Sequence, residues 1–170
     1  MNFSNVVRTL ALFFIATVTV MNVSAQSAGD KAVGGYLAIG MGEIGNESFN
    51  NVGIGAKFQY NITDPIRLEG ALTLFLKKDN VSMWDMSAYG HYLFNVADKL
   101  TVYPLVGLGV YGWKTDLGDV NLSDSKFAFT FGGGLDYVIA NNLSLNAELK
   151  YKLVEDMNRF VISAGVTYKF

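Results

Sequence analysis

The chain has 170 residues, enough for one domain, with 51% hydrophobic and 14% aromatic residues but only 16% charged ones, well under the roughly 25% charge of an average chain. Its formal net charge is −2 and it has no basic block, which excludes a nucleic-acid binder that must neutralise phosphates with clustered Lys and Arg. Cysteine is absent, so disulfides and thiolate metal centres are excluded as well.

The first 25 residues read as a segment removed before folding. Arg8 gives a weakly positive start, Leu10 to Met21 is apolar, and Val23-Ser24-Ala25 supplies small residues before Gln26. That is the layout of a signal peptide over 1–25, cleaved after Ala25, with the mature domain over 26–170. A transmembrane anchor would need about 20 apolar residues, and this run is shorter. No Cys stands at the cleavage point to carry a lipid.

Past residue 30 the pattern is period-two alternation, segment after segment. Strands are predicted over 32–42, 51–61, 66–76, 83–94, 100–112, 126–138, 143–153 and 159–170. In 51–61, Val52, Ile54, Ala56, Phe58 and Tyr60 share one face, and Asn51, Lys57, Gln59 and Asn61 the other. In 66–76, Ile66, Leu68, Leu72 and Leu74 oppose Arg67, Glu69 and Thr73. In 143–153, Leu143, Leu145, Leu149 and Tyr151 oppose Ser144, Asn146, Glu148, Lys150 and Lys152. Each strand is about ten residues, the length of a tilted strand crossing a bilayer. Short turns are predicted at 61–65, 95–99 and 139–142, and longer polar loops at 43–49, 77–82 and 113–125. The connection 154–158 is short as well, and carries Glu155 and Asp156. Alternating short turns and long loops is the layout of an up-and-down membrane barrel, all-β and antiparallel, with both mature termini in the periplasm.

Alternation fits a soluble barrel too, with the faces exchanged. A soluble, ligand-binding barrel in the lipocalin manner would turn the Val, Leu and Phe faces inward. Export and the aromatic positions favour the opposite. The lower ends of the even-numbered strands carry Tyr60, Tyr92, Phe94, Tyr137, Tyr168 and Phe170. Their upper ends carry Trp84, Phe127 and Phe160, joined by Tyr151. Two girdles at two membrane interfaces follow. Pro104 falls on the lipid-facing set of its strand and is expected near the periplasmic end, since it removes one ladder donor.

The lumen of eight strands is only wide enough for side chains. Parity sends Lys57, Arg67, Glu69, Asp85, His91, Lys126, Asp136, Glu148, Lys150, Lys152 and Lys169 inward. Lys57, Arg67, Glu69, Asp136, Glu148 and Lys150 are predicted to form a charge network that fills it. A turn pairing Tyr60 with Ile66 would set Lys57 opposite Glu69. The alternative is that such pairs gate a narrow ion path. Gly107, Gly109, Gly132 and Gly134 point inward and make room for Tyr89, Tyr103 and Tyr111.

Chemistry-bearing motifs are few. His91 is the single histidine. Asp116, Asp119, Asn121 and Asp124 cluster in the third long loop, with a spacing that matches no cation loop, and read as a solvated acidic loop. The Gly-rich stretches lie within strands and not before a helix, so they are not phosphate loops. No catalytic residue, metal site or cofactor is expected.

The end Gly165-Val-Thr-Tyr168-Lys-Phe170 resembles the assembly signal of Gram-negative outer-membrane barrels, with Gly165, Tyr168 and Phe170 at the matching positions and Ala164 where a polar residue is common. Together with Phe131-Gly-Gly-Gly-Leu-Asp-Tyr137, the stretch 142–151 and Tyr103-Pro-Leu-Val-Gly-Leu-Gly-Val110, the mature chain resembles the outer membrane protein β-barrel domain family, porin-like and of the OmpA/OmpX type. The resemblance implies a monomeric, eight-stranded transmembrane β-barrel in outer-membrane lipid, handled by the barrel assembly machinery. It implies no particular activity, because members differ in their loops. A contact through those loops is the expected role, with the partner open. Some outer-membrane barrels resemble lipid A deacylases, which place a Ser two residues after a His; here Tyr92 and Leu93 follow His91. OmpA-type chains often continue into a peptidoglycan-binding domain; nothing follows Phe170, so that role is not expected.

Overall fold

A computed structural model of the chain describes residues 26–44, 47–78, 81–117, 120–154 and 158–170. The signal-peptide segment lies outside the described residues. The rest is one antiparallel sheet closed on itself. Its strands are β1 (Lys31–Ile44), β2 (Glu47–Asn61), β3 (Ile66–Lys78), β4 (Val81–Tyr92), β5 (Phe94–Ala97), β6 (Leu100–Leu117), β7 (Val120–Ala140), β8 (Leu143–Val154) and β9 (Arg159–Lys169). Chain neighbours pair throughout except β4 and β5, which both pair with β6. Closure comes from β1 on β9 through Tyr36↔Gly165, and no sheet edge is left along the wall.

The nine segments make eight barrel strands, because β4 and β5 are one strand. His91 pairs Leu105 on β6 and Phe94 pairs Val102, in unbroken register. The break falls at Tyr92–Leu93, opposite Pro104 and Tyr103. Pro104, opposite Tyr92, has no N–H to give to this strand, while on the other side the Leu93 N–H donates to the Pro65 carbonyl at 2.7 Å, one step beyond the Ile66↔Tyr92 pair. The single strand predicted over 83–94 is therefore interrupted near its end and runs on to Ala97.

Two other expectations are corrected. The loops placed at 43–49, 77–82 and 113–125 are mostly strand. β1 runs for 14 residues, β2 for 15, β6 for 18 and β7 for 21, well beyond the roughly ten that cross a bilayer. The polar stretches extend as paired ribbons because backbone pairing does not depend on which side chains alternate. The ribbon of β6 and β7 rises highest. It pairs with itself up to Leu117↔Val120, whereas β8 reaches β7 only from Ala128. The β2–β3 register also differs. The Ile62 N–H donates to the Ile66 carbonyl at 2.9 Å, closing a loop of Thr63, Asp64 and Pro65. Tyr60 then faces Leu68, and Lys57 faces Ala71 rather than Glu69.

The faces are inverted relative to a water-soluble barrel. Leu37, Ile54, Leu74, Met86, Leu108, Leu149 and Phe160 are all exposed on the outer wall, while Lys57, Arg67, Glu69, Asp85 and Glu148 are buried. A lipocalin-like barrel needs the reverse. So large an apolar exterior requires a non-aqueous surround. Inward aromatic rings seat on glycines directly across the ladder: Tyr36 on Gly55, Tyr89 on Gly107 and Tyr103 on Gly134. A Cβ on any of these glycines would enter the facing ring. Gly109 and Gly132, in contrast, lie against Ser87 and against the Leu149 and Lys150 backbone, and Tyr111 faces Lys126.

Candidate functional site

The lumen is built in layers, described from the end that holds residues 26 and 170. In the lowest layer the Arg67 guanidinium donates to Asp136 at 2.6 Å. It also donates through Nε to His91 Nδ1 at 3.1 Å and lies over the Tyr103 ring, 4.6 Å from its centroid. His91 stacks on the same Tyr103 ring at 4.7 Å, with 6° between the planes. Because His91 Nδ1 accepts from Arg67, its ring hydrogen is assigned to Nε2. The single histidine is thus held by an arginine and a tyrosine, with no Ser or carboxylate among its hydrogen bonds in the described residues.

Glu148 organises the middle layer. Lys150 donates to it at 2.5 Å and Lys57 at 3.0 Å. The Tyr103 hydroxyl donates at 3.0 Å and Ser163 at 3.3 Å. Lys57 also reaches Glu69 at 3.5 Å, diagonally across the ladder. Gln59, the residue directly opposite, donates to Glu69 at 2.7 Å. Lys150 lies between the faces of Tyr89 and Tyr36, 4.7 Å and 5.6 Å from their centroids. One step higher, Lys152 pairs with Asp85 and donates to the Tyr89 hydroxyl at 3.0 Å. Ser87 donates to Asp85 at 2.8 Å.

The top layer holds a residue absent from the predicted network. Arg159 is 1% exposed. It donates to Asn51 at 2.8 Å and to Tyr111 at 2.5 Å, and stacks on Phe75 at 4.5 Å and Tyr111 at 4.9 Å. Gly40 on β1 leaves the room it occupies. Parity could have found it, since 159 shares the inward set of Ser163 and Lys169. It opens the strand predicted over 159–170, and a charged residue at the mouth of a strand can turn to solvent as easily as into the lumen.

All six predicted network residues are buried in the lumen. Lys57, Glu69, Glu148 and Lys150 meet in one layer, and Arg67 and Asp136 in another. Lys126 and Lys169 are inward by parity but only partly covered; Lys169 pairs at 3.3 Å with Asp30 at the lower rim. Buried charges need partners of this kind, because an unpaired one carries a large desolvation cost. Among the described residues, Lys57, Arg67, Lys150, Lys152 and Arg159 are buried against Glu69, Asp85, Asp136 and Glu148, so the two signs nearly cancel and neither dominates the lumen.

Below the lowest layer opens a vestibule of about 350 Å³, bordered by Gln26, Asp30, Asn61, Asp136, Thr167 and Lys169. Gln26, which precedes the first strand and carries no periodicity, was not a predicted site residue. The aromatic residues fall where the alternation puts them. Tyr60, Tyr92, Tyr137 and Tyr168 are exposed on the outer wall toward the lower end, and Trp84, Phe127 and Phe160 toward the upper. Phe94 packs on Tyr92 at 4.9 Å and Tyr151 on Phe160 at 4.6 Å. Gly165 lies opposite Tyr36, where a Cβ would meet the Gly35 carbonyl. Phe170 donates its N–H to the Lys31 carbonyl at 3.0 Å. Among the described residues no cluster of His, Asp and Glu is set to hold a metal ion. Asp119 and the side chains of Asp116, Asn121 and Asp124 lie outside the described residues.

The sequence profile of the outer membrane protein beta-barrel domain matches residues 10–170. No curated protein matches the sequence. Among solved structures, Neisserial surface protein A (NspA) superposes with a TM-score of 0.74 at 18% identity, over 82% of this chain and 97% of that one. Ail, the attachment invasion locus protein of Yersinia pestis, gives 0.67 at 18% identity, over 84% and 99%. The N-terminal barrel domain of Pseudomonas aeruginosa OprF gives 0.65 at 18% identity, over 85% and 100%. At such identities the likeness is one of fold.

Proposed function

The chain belongs to the outer membrane protein β-barrel domain family, and from that membership we propose a non-catalytic surface barrel whose lumen is sealed by its own charges and whose contact surface is its outer rim. The protein resides in the outer membrane. In this proposal the signal peptide over 1–25 is cleaved after Ala25, the termini face the periplasm, and the β6–β7 ribbon projects outside the cell. The tyrosines at one end and Trp84, Phe127 and Phe160 at the other then meet the two headgroup regions. Gly165, Tyr168 and Phe170 serve the assembly machinery, and the barrel stands as a monomer.

One observation carries the sealed lumen. From Arg67–Asp136 through Glu148 and Asp85 to Arg159, each layer of the interior is filled by paired side chains at 7% exposure or less. An ion crossing it would have to separate several buried pairs. The refolded protein in planar bilayers should therefore give no stable conductance steps. Stable steps that change with Lys57→Ala or Glu69→Ala would replace the sealed barrel by a narrow ion pore. The vestibule, which brings solvent as far as Asp136, is what favours that second reading.

The rim sets the chemistry of a partner. Ail is known in complex with the heparin analogue sucrose octasulfate. The hairpin 113–125 of this chain carries Asp116, Asp119 and Asp124 against Lys114 alone, and an acidic ribbon repels a polyanion. The outer-membrane protein should pass through a heparin column at physiological salt. Retention there would move the contact surface off the ribbon.

A further inference from the structure

The lower mouth holds a contact that the sealed lumen does not itself require. Ser27 to Asp30 form a tight turn. The Asp30 N–H donates to the Ser27 carbonyl at 3.1 Å, and the Ser27 N–H to the Asp30 carboxylate at 2.8 Å. Gly29 takes φ = 89°, a left-handed conformation that suits glycine. The turn is pinned from outside: the Ala28 N–H donates to Asp64 at 2.8 Å and the Gly29 N–H to the Asn61 carbonyl at 2.8 Å. The chain is thereby folded back so that the Gln26 side chain enters the barrel.

There its carboxamide is bound at both ends. Nε2 donates to Asp136 Oδ2 at 3.3 Å. Oε1 accepts from Asn61 Nδ2 and from Arg67 Nη1, each at 3.3 Å. Asn61, Arg67 and Asp136 are each 3% exposed or less. One acceptor and two donors at the floor of the vestibule thus match the donor and the acceptor of a primary amide.

We propose that Asn61, Arg67 and Asp136 form a carboxamide-binding subsite on the periplasmic side, filled in cis by Gln26 as a stopper over the lowest ion pair. This rests on the sealed-lumen reading and adds a removable part to it. A carboxamide in trans, on a peptide or a small molecule in the vestibule, would compete for the same three groups. The Ser27–Asp30 turn supplies the tether, and its outer hydrogen bonds are exposed, so the stopper can be displaced without unfolding a strand.

The chain contains no cysteine, so single reporters give a clean readout. Thr101 is 1% exposed, lies across the ladder from Asp136 and does not border the vestibule. Thr130, fully buried, lies three inward steps higher on β7. The mature chain carrying Thr101→Cys, exported and isolated in detergent, is weighed by mass spectrometry and treated with a charged thiosulfonate, alone or with Gln26→Ala; a mature chain whose N-terminal Gln26 has cyclised, losing its amide nitrogen, also overturns the stopper. Asp64→Ala, which frees the turn from outside, serves as a second variant, and a heat-mobility gel checks folding of each. Both variants should label about tenfold faster, the factor expected for loss of a hydrogen bond to a charged group. Propionamide should slow the Gln26→Ala protein and leave the parent unchanged. Equal rates with and without the Gln26 side chain overturn the stopper. Acceleration that propionamide does not reverse overturns carboxamide recognition. Rapid labelling of Thr130→Cys in the parent would instead overturn the sealed lumen, which separates the two failures.

Discussion

Glu148 accepts from Lys57, Lys150, Tyr103 and Ser163, and no other carboxylate described in the lumen gathers as many donors. Replacing it with Gln keeps the size and removes the charge that two buried ammonium groups face. Such a loss leaves uncompensated charge in the interior and costs about 3–5 kcal/mol. The Glu148→Gln barrel should unfold at a clearly lower urea concentration, followed by loss of the heat-mobility shift. An unchanged midpoint would mean that water or another carboxylate replaces it. At this scale the sequence is informative about which side chains enter the lumen and silent about which meet. Parity sends Lys57 and Glu69 inward, but the direct neighbour of Glu69 is Gln59, and Lys57 spends its shorter contact on Glu148, 91 residues further along. No local pattern encodes a contact across the barrel. Gln26 is harder still, because it owes its position to a turn and to hydrogen bonds from a distant hairpin.

The strand centres are legible because a half-buried wall forces period two, and every predicted strand overlaps an observed one. Strand ends are not, because a polar, alternating ribbon reads the same as a polar loop. The β2–β3 register shows a second blind spot. Sliding a strand by two residues leaves every side chain on its own face, so Tyr60 against Ile66 and Tyr60 against Leu68 satisfy the hydrophobic pattern equally. What decides is the hairpin closure between Ile62 and Ile66. Pro104 was readable as a missing donor near one end, but the resulting division of its neighbour into β4 and β5 was not. The tall ribbon should be separable from the wall. Asp116, Leu117, Val120 and Asn121 pair only with one another. Replacing residues 116–121 by Asn-Gly, a two-residue hairpin turn, should leave the heat-mobility shift intact while removing contacts made at the rim. Loss of the shift would show that the ribbon tip is needed for closure.

The whole molecule follows from one inversion: charged and hydroxylated residues fill the axis while Leu, Ile, Val and Phe cover the wall. In lipid the closed ladder satisfies the backbone and the apolar wall needs no further cover. Full-length protein expressed in a Gram-negative host should appear in the outer-membrane fraction and migrate differently in cold and boiled detergent samples. Recovery from the soluble periplasm without a shift would contradict the membrane placement. The tyrosine–glycine seats bear on how such a cylinder reaches the right closure. Faces alone cannot detect a two-residue slip, but rings can. At the closing seam between β1 and β9, the backbone and Cβ of Tyr36 lie against Gly165, and sliding by two in either direction would set them against Ser163 or Thr167. Between β4 and β6, one direction of slip sets Tyr89 against Leu105. At each ring seat one direction of slip meets another glycine (Gly53, Gly109 or Gly132) and the other meets a side chain (Lys57, Leu105 or Asp136), so the rings distinguish a register error by its direction, which the alternating faces cannot do.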